Sequence, residues 1–383
     1  MRTFWKRFGS YLLVAVLSTV ATLAMVDASF GLGPTKLEQL AWIIDECFVE
    51  EADMTAAEDA AADAMVNSLG DRWSYYIPAS EYEAYREQME NAYVGVGITI
   101  RATAEGDGYD ILEVMKGGPA EEAGLLARDV LVAVEDQRVA DMDVDQVRDL
   151  VKGKKGTFVS LTVRREDQEM TFSVERRQVK TPVAEYEMLD GNIGLVTIAN
   201  FDSRCAEETI AAMEALLEQG AEKLIFDVRG NPGGYASELV KVLDYLLPEG
   251  ELFRAVSYDG EESIDYSDEE YLDIPMAVIV DAQSYSAAEF FAAALREYDA
   301  AVVVGQQTVG KGYFQYTYPL NDGSAVGLSV GKYYTPKGVS LAEAGITPDV
   351  VVELDEETAA ALAYGELTWR EDPQIQAAVE ALQ

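Results

Sequence analysis

The sequence predicts an α/β protein whose helices pack on a largely parallel sheet, preceded by a smaller β-rich segment and a helical region. Three observations carry this reading. From residue 191 onward, short apolar runs alternate with amphipathic stretches of helical length. Between residues 95 and 178, short β-branched runs are separated by Gly, Pro and Asp. Residues 35–90 are alanine-rich and repeat apolar side chains at helical spacing. At 383 residues the chain has room for two or three domains of about 150 residues each.

Composition narrows the function. The 49% apolar share fills a real core, and the 26% charged share is close to the average of about 25%. The net charge of −40 is therefore a skew of sign, not an excess of charge. Such a surface repels phosphate backbones and excludes nucleic-acid binding as the main task. The chain has no histidine, which removes Ser-His-Asp and Cys-His catalysis and any His-containing zinc site. Two cysteines, Cys47 and Cys205, are too few for a Cys-only zinc site or a disulfide-dense scaffold. Each lies among helix formers and is expected as a small buried apolar side chain. No cofactor and no metal is expected, and any hydrolytic chemistry needs a base other than imidazole.

The elements then follow in order. Arg2, Lys6 and Arg7 precede a 19-residue uncharged run closed by Asp27. That length is near the minimum for crossing a bilayer core of about 30 Å. The basic flank orients the N-terminus to the cytoplasm and exports the rest to the cell envelope. Val26-Asp27-Ala28 loosely resembles a small-residue cleavage site, so residues 1–30 read as a membrane anchor or a signal peptide, with the uncleaved anchor favoured. In 31–89, Leu37, Leu40, Ile43 and Ile44 mark a first helix and 56–69 a second. The β-rich segment, 90–178, has strand-like runs at 96–100, 109–115, 130–134 and 158–163. One helix interrupts it at 143–152, with Val144, Val147, Leu150 and Val151 on one face. In 179–358, strands at 193–198, 223–228, 276–280 and 301–304 alternate with helices at 206–219, 237–247 and 287–298. Residues 359–383 read as a helical tail. No fixed-period repeat is present, which excludes a solenoid.

Gly95-Val96-Gly97-Ile98 resembles the Gly-Leu-Gly-Phe loop of PDZ domains. Successive backbone N–H groups in a glycine-permitted turn form a nest for a carboxylate, and the strand after it can add a peptide as an extra strand. A lone G-x-G-x occurs in many hairpins. Here it is followed by Gly118-Pro119-Ala120-Glu121-Glu122-Ala123-Gly124-Leu125, then Asp129-Val130-Leu131 and Gly153-Lys154-Lys155-Gly156-Thr157. That succession is similar to the PDZ domains attached to bacterial proteases. Arg128 stands where such domains often have Gly.

Three further segments belong together. Phe226-Asp227-Val228-Arg229-Gly230-Asn231-Pro232-Gly233-Gly234 leaves a strand through a glycine-rich turn and enters a helix. It is either an ordinary turn or a place where a backbone N–H at Gly233 approaches an oxyanion. Ser284-Tyr285-Ser286-Ala287-Ala288-Glu289 opens a helix. Ser286 with Glu289 is a capping box, but a serine there also sits at the positive end of a helix. Gly305-Gln306-Gln307-Thr308-Val309-Gly310-Lys311-Gly312 nearly matches a phosphate-binding loop. Gly312 lacks the hydroxyl that Mg²⁺ requires, and 313–318 alternate like a strand where such a loop must open a helix.

Side by side, the three resemble the carboxyl-terminal processing peptidases, serine proteases with a lysine base. The resemblance runs over nearly the whole exported chain, from Leu69-Gly70-Asp71-Arg72-Trp73-Ser74-Tyr75-Tyr76 to Tyr333-Tyr334-Thr335-Pro336-Lys337-Gly338 and Gly345-Ile346-Thr347-Pro348-Asp349. It implies a crotonase/ClpP-like α/β peptidase core with an inserted PDZ domain. It places the nucleophile on Ser286, the general base on Lys311 and a lysine-orienting amide on Gln315. Tyr285 and Ala288 depart from the family's Ser-Ala-Ser-Ala-Ser-Glu run without removing a catalytic group. The backbone N–H groups of Gly233 and Ala287 would hold the oxyanion, and Gly95, Val96, Gly97 and Ile98 the substrate's tail. A lysine base must be neutral, and bringing its pKa from about 10.4 to near 7 costs about 4 kcal/mol, attainable by burial. The implied partners are proteins or peptides with apolar C-terminal tails, at a membrane reached through the N-terminal segment, with self-association left open. The alternative is a catalytically idle, membrane-anchored PDZ scaffold. The glycine and glutamine context kept around Ser286 and Lys311 counts against it.

Overall fold

The computed structural model describes residues 18–19, 34–89, 91–103, 106–166, 168–363, 365 and 367–383. These fall into two compact units divided between Tyr76 and Ile77. Apart from Ser18 and Thr19, the expected anchor lies outside the described residues. Among the described residues, no helix is long and apolar enough to cross a membrane. In the first unit, α1 (Lys36–Cys47) opens with a reciprocal cap between Thr35 and Glu38. Asp53 caps α2 (Met54–Asn67), and β1 (Tyr75–Ile77) straddles the division. The sequence stripe on α1 is not buried: Leu37, Leu40 and Ile43 are exposed. Cys47 is exposed as well, against expectation, because α1 buries no residue; Cys205 is buried.

The second unit begins with α3 (Ala79–Met89) and β2 (Ala92–Gly95). Then follow β3 (Ile98–Ala102), β4 (Tyr109–Val114), α4 (Pro119–Ala123), β5 (Val130–Val134), β6 (Gln137–Arg138), α5 (Val144–Val151), β7 (Phe158–Arg165) and β8 (Gln168–Glu175). The strands form an antiparallel sheet ordered β3-β4-β5-β7-β8, with β6 added to β5. Leu131, Val147, Leu161, Val163 and Val174 fill its core. Asp143 and Gln146 cap one end of α5, and at the other Arg176 donates to the carbonyls of Val151 (2.7 Å) and Leu150 (3.1 Å). Arg128 takes φ +74, the left-handed conformation that favours glycine. The chain leaves through β9 (Arg177–Lys180), which pairs with β2, so entry and exit are zipped together.

The remainder is layered. It runs β10 (Ala184–Leu189), β11 (Ile193–Ile198), α6 (Cys205–Glu218), β12 (Lys223–Asp227), α7 (Ala236–Leu246), β13 (Gly250–Ser257), β14 (Glu262–Ser267), β15 (Met276–Val280), α8 (Ala287–Glu297) and β16 (Ala301–Gly305). It closes with β17 (Tyr313–Pro319), β18 (Ala325–Tyr334), β19 (Val350–Val351), α9 (Glu356–Ala363) and α10 (Pro373–Ala381). The main sheet, β10-β11-β12-β15-β16-β19, is parallel from β11 onward. Both faces are covered, as a parallel sheet requires. On β15, Met276, Val278 and Val280 pack with α6, α7 and α8, while Ala277 and Ile279 face Ile375, Ala378 and Leu382. Residues 373–381 are thus a core helix where a tail was expected. A second, antiparallel sheet pairs β13 with β14 and β18, and β18 with β17.

Phe291 of α8 is fully buried, 5.9 Å from the ring of Phe201 and 5.3 Å from that of Phe226. Phe291→Ala should destabilise the fold by about 3–5 kcal/mol, read as a lower urea midpoint.

Candidate active site

Three loops leave the C-terminal ends of the adjacent parallel strands β12, β15 and β16, and they carry Gly233, Ser286 and Lys311. Ser286 is the N-cap of α8, with φ 58 and ψ −125. A non-glycine residue there is strained by about 1–3 kcal/mol and persists only where its surroundings fix it. Ser284 donates its hydroxyl to the Val228 carbonyl (2.7 Å) and accepts from the Asp281 amide (3.0 Å), while Tyr285 N–H donates to Asn231 O (3.1 Å). With its hydroxyl spent there, Ser284 does not cap α8. The strain presents Ser286 at the positive end of that helix.

The β12 loop lies directly against this serine. Gly233 has φ +88, and a Cβ on it would stand 2.7 Å from Ser286 Cβ and 2.8 Å from the Ala287 nitrogen. Only glycine fits. The loop brings Gly233 and Ala287 together as the sequence suggests, with one difference: the Gly233 N–H donates to Asn231 Oδ1 at 2.8 Å. Serving an oxyanion means sharing or releasing that bond.

The β16 loop brings Lys311. It leads into β17 and no helix follows, so it lacks the helix N-terminus that a phosphate-binding loop needs. Gly312 has no room for a side chain, since a Cβ would sit 2.5 Å from the Ala342 nitrogen. Lys311 is half-buried, its Nζ 5.6 Å from the centre of the Tyr285 ring. Gln315 follows a bulge in the β17–β18 ladder; its Nε2 donates to Ser329 Oγ (3.0 Å) and Tyr313 O (3.3 Å), tying the amide to β18.

What joins serine and lysine is a residue read from sequence only as a cap. Glu289 is fully buried. Its Oε1 accepts from Thr308 Oγ1 and from Gly310 N–H (2.7 Å), and its Oε2 from Lys311 N–H (2.9 Å) and Ser286 N–H (3.0 Å). Two backbone nitrogens that share one oxygen lie within about 6 Å of each other. Burial raises the Glu289 pKa above the usual carboxylate range, and the four hydrogen bonds offset only part of that rise. The available signal was a glutamate beside Phe290 and Phe291, on the inward side of an otherwise apolar helix.

In the β-rich segment, Val96 O accepts from Ala120 N–H (2.9 Å) and Gly97 O from Met115 N–H (3.0 Å). In planar trans peptides this turns the N–H groups of Gly97 and Ile98 the opposite way. Gly97 has φ +77, and a Cβ on Gly95 would meet the Tyr93 ring at 2.5 Å. β3 begins at Ile98 and is an edge strand of its sheet. A carboxylate nest followed by an open strand edge is what peptide-end binding requires.

Glu289→Gln keeps the shape but turns an NH₂ group towards backbone donors. It should lower kcat by about 10²-fold or more and stability by about 1–3 kcal/mol, measured by turnover and denaturant titration.

Residues 192–352 match the model of peptidase family S41, and 111–165 that of a PDZ domain. A CtpA-like serine protease of Staphylococcus epidermidis is 30% identical over 354 residues, covering 90% of this chain and 72% of that one. An S41 protease from Bacteroides fragilis NCTC 9343 shares the fold, with a TM-score of 0.56 at 16% identity over 91% of this chain and 97% of that one. A photosystem II D1 C-terminal processing protease aligns at 28% identity and a TM-score of 0.49, over 88% of this chain and 92% of that one. The chain is a serine-type peptidase that belongs to family S41, among the CtpA-like serine proteases, and carries a PDZ domain.

Proposed function

We propose that this peptidase cleaves exported proteins near their C-termini, with Ser286 as nucleophile, Lys311 as base and the PDZ domain reading the free tail and gating the site. The observation that carries the reading is the single Glu289 oxygen that accepts from the amides of both Ser286 and Lys311, with Gly233 pressed against the serine. Ser286 Oγ attacks the peptide carbonyl and Lys311 Nζ takes its proton. The Oγ–C bond forms as the carbonyl π pair moves to oxygen, which the Ala287 and Gly233 amides hold. The C–N bond then breaks with the proton passed to the leaving amine, and water hydrolyses the acyl-enzyme. Gln315, on β17 and tied to Ser329 of β18, is the residue assigned to orient the lysine. The basic flank of residues 1–30 supports export.

Gating is supported by where the PDZ connections end. Asn91, just before β2, exchanges side-chain hydrogen bonds with Asn200 (2.6 and 2.8 Å) and donates to Asp202 (3.1 Å). Thr181, just after β9, donates its N–H to Asn91 O (2.9 Å) and accepts at its carbonyl from Arg204 Nη2 (2.9 Å). Between these anchors, Phe201 brackets the oxyanion turn: its N–H donates to Gly233 O (2.8 Å) and its carbonyl accepts from Tyr235 N–H (2.7 Å). A shift at the PDZ hinge therefore reaches Gly233 through one residue. The rival reading, an idle scaffold, leaves the strained serine and the shared carboxylate without a task.

Ser286→Ala and Lys311→Ala should each abolish cleavage of an unstructured, apolar-tailed substrate while the melting temperature holds. The double variant should be no worse than either single one, because the pair acts as a unit. Wild-type activity should rise from neutral towards alkaline pH as the lysine loses its proton; near-full activity of Lys311→Ala would refute the base.

Amidating the substrate's C-terminus removes its charge and leaves the scissile bond untouched. Turnover should fall markedly in wild type and not in a Gly97→Val variant, whose nest is already lost. Equal wild-type rates on both peptides would refute tail reading whatever the outcome for Ser286.

A further inference from the structure

The oxyanion turn is braced from a part of the chain that lies beyond the segment matching the peptidase family. Arg229 sits at the root of that turn, between Asp227 at the end of β12 and Gly230, which has φ +65. Its guanidinium is nearly buried. Nε donates to Asp227 Oδ1 at 2.9 Å and Nη2 to Asp227 Oδ2 at 2.5 Å. The remaining nitrogen, Nη1, donates to Asp372 Oδ2 at 2.8 Å and to Gln374 Oε1 at 3.0 Å. Asp372 is the N-cap of α10, with Oδ1 accepting from the amides of Gln374 (2.9 Å) and Ile375 (3.2 Å). Gln374 in turn donates to Val352 O at 2.9 Å. Asp227, Asp372 and Gln374 are all buried.

We infer that Asp372 is a positioning residue for catalysis, fixing the turn from Arg229 to Gly233 against Ser286. The inference rests on Ser286 being the nucleophile. α10 needs only a cap and an apolar face to stay on the sheet, and Asn would supply the cap equally well. The second oxygen of Asp372 goes to Arg229, a residue of the oxyanion turn. With Asp227 gripping one edge of the guanidinium and Asp372 the other, the plane of Arg229 has one orientation. Its backbone feeds directly into the glycines whose placement sets the oxyanion donors, where small displacements cost rate and not affinity.

The test uses the full chain and two variants. Asp372→Asn keeps the α10 cap and removes the charge facing Arg229, whereas Ile375→Ala loosens α10 against the sheet and leaves Arg229 untouched. Turnover of an unstructured peptide, labelling of Ser286 by a serine-directed phosphonate and thermal melting are compared. The expected result is a kcat for Asp372→Asn lower by about tenfold or more with KM within about twofold. Phosphonate labelling slows in parallel. Ile375→Ala loses at least as much melting temperature and keeps kcat within about twofold. If kcat falls in both variants in step with melting temperature, or in neither, Asp372 is structural only and the inference fails. If wild type is not labelled at Ser286, it is the nucleophile assignment that fails.

Discussion

The site depends on one buried carboxylate. Glu289 is shut off from bulk solvent, so it is tolerable only where donors satisfy its oxygens. It collects four, from Ser286, Thr308, Gly310 and Lys311. Each comes from a loop that would otherwise be set by its own turn chemistry. The energetic demand of one side chain thereby fixes the distance between two chain segments that lie far apart in sequence. It also holds Ser286 in a conformation that an isolated turn would abandon.

This arrangement is available because of strand order. β12, β15 and β16 are neighbours and parallel, so their C-terminal ends open on one edge of the sheet. Ligand and catalytic sites of open α/β sheets collect at that edge. Here each of the three strands contributes one loop, carrying Gly233, Ser286 and Lys311 in turn. The close approaches are then steric necessities. A side chain at Gly233 would collide with Ser286, and one at Gly305 would lie 2.0 Å from the Val280 carbonyl. The faces below are sealed by α6–α8 and by α10, and this second cover lets a residue as distant as Asp372 reach the turn.

Much of this was legible in the sequence, and the rest was not for identifiable reasons. The strand–helix alternation from Ile193 to Val304 is a strong periodic signal, and the sheet is mainly parallel as it implies. Ser286, Gly233 and Lys311 stand out only when their three segments are taken together, since alone each also reads as a helix cap, an ordinary turn or a near phosphate-binding loop. Glu289 was legible only as a cap, since a capping box and a buried clamp have the same spacing; the donors from Thr308, Gly310 and Lys311 are tertiary. β13 and β14 escaped notice because Glu251, Arg254 and Glu262 pair across them and blur the apolar alternation. The α1 stripe shows the converse, a clear helical pattern with no cover among the described residues of its unit.

The charge of the chain constrains how a tail can be read at all. A protein at −40 repels a C-terminal carboxylate at long range. That field is screened over roughly 8–10 Å at physiological salt, so whatever attracts the tail must act at contact. The donors that can do so are backbone N–H groups, whose partial charges do not depend on net charge. The turn at Gly97 supplies them only because the carbonyls of Val96 and Gly97 are held by Ala120 and Met115. Around the same domain the cleft between α3 and the loop after α5 gathers Lys152, Lys154 and Lys155 beside Tyr93 and Gln178, with Glu83 and Glu87 opposite. The opposing carboxylates cancel much of that positive field. The proposed tail reading therefore rests on the shape of a glycine turn and an open strand edge, and not on electrostatic steering.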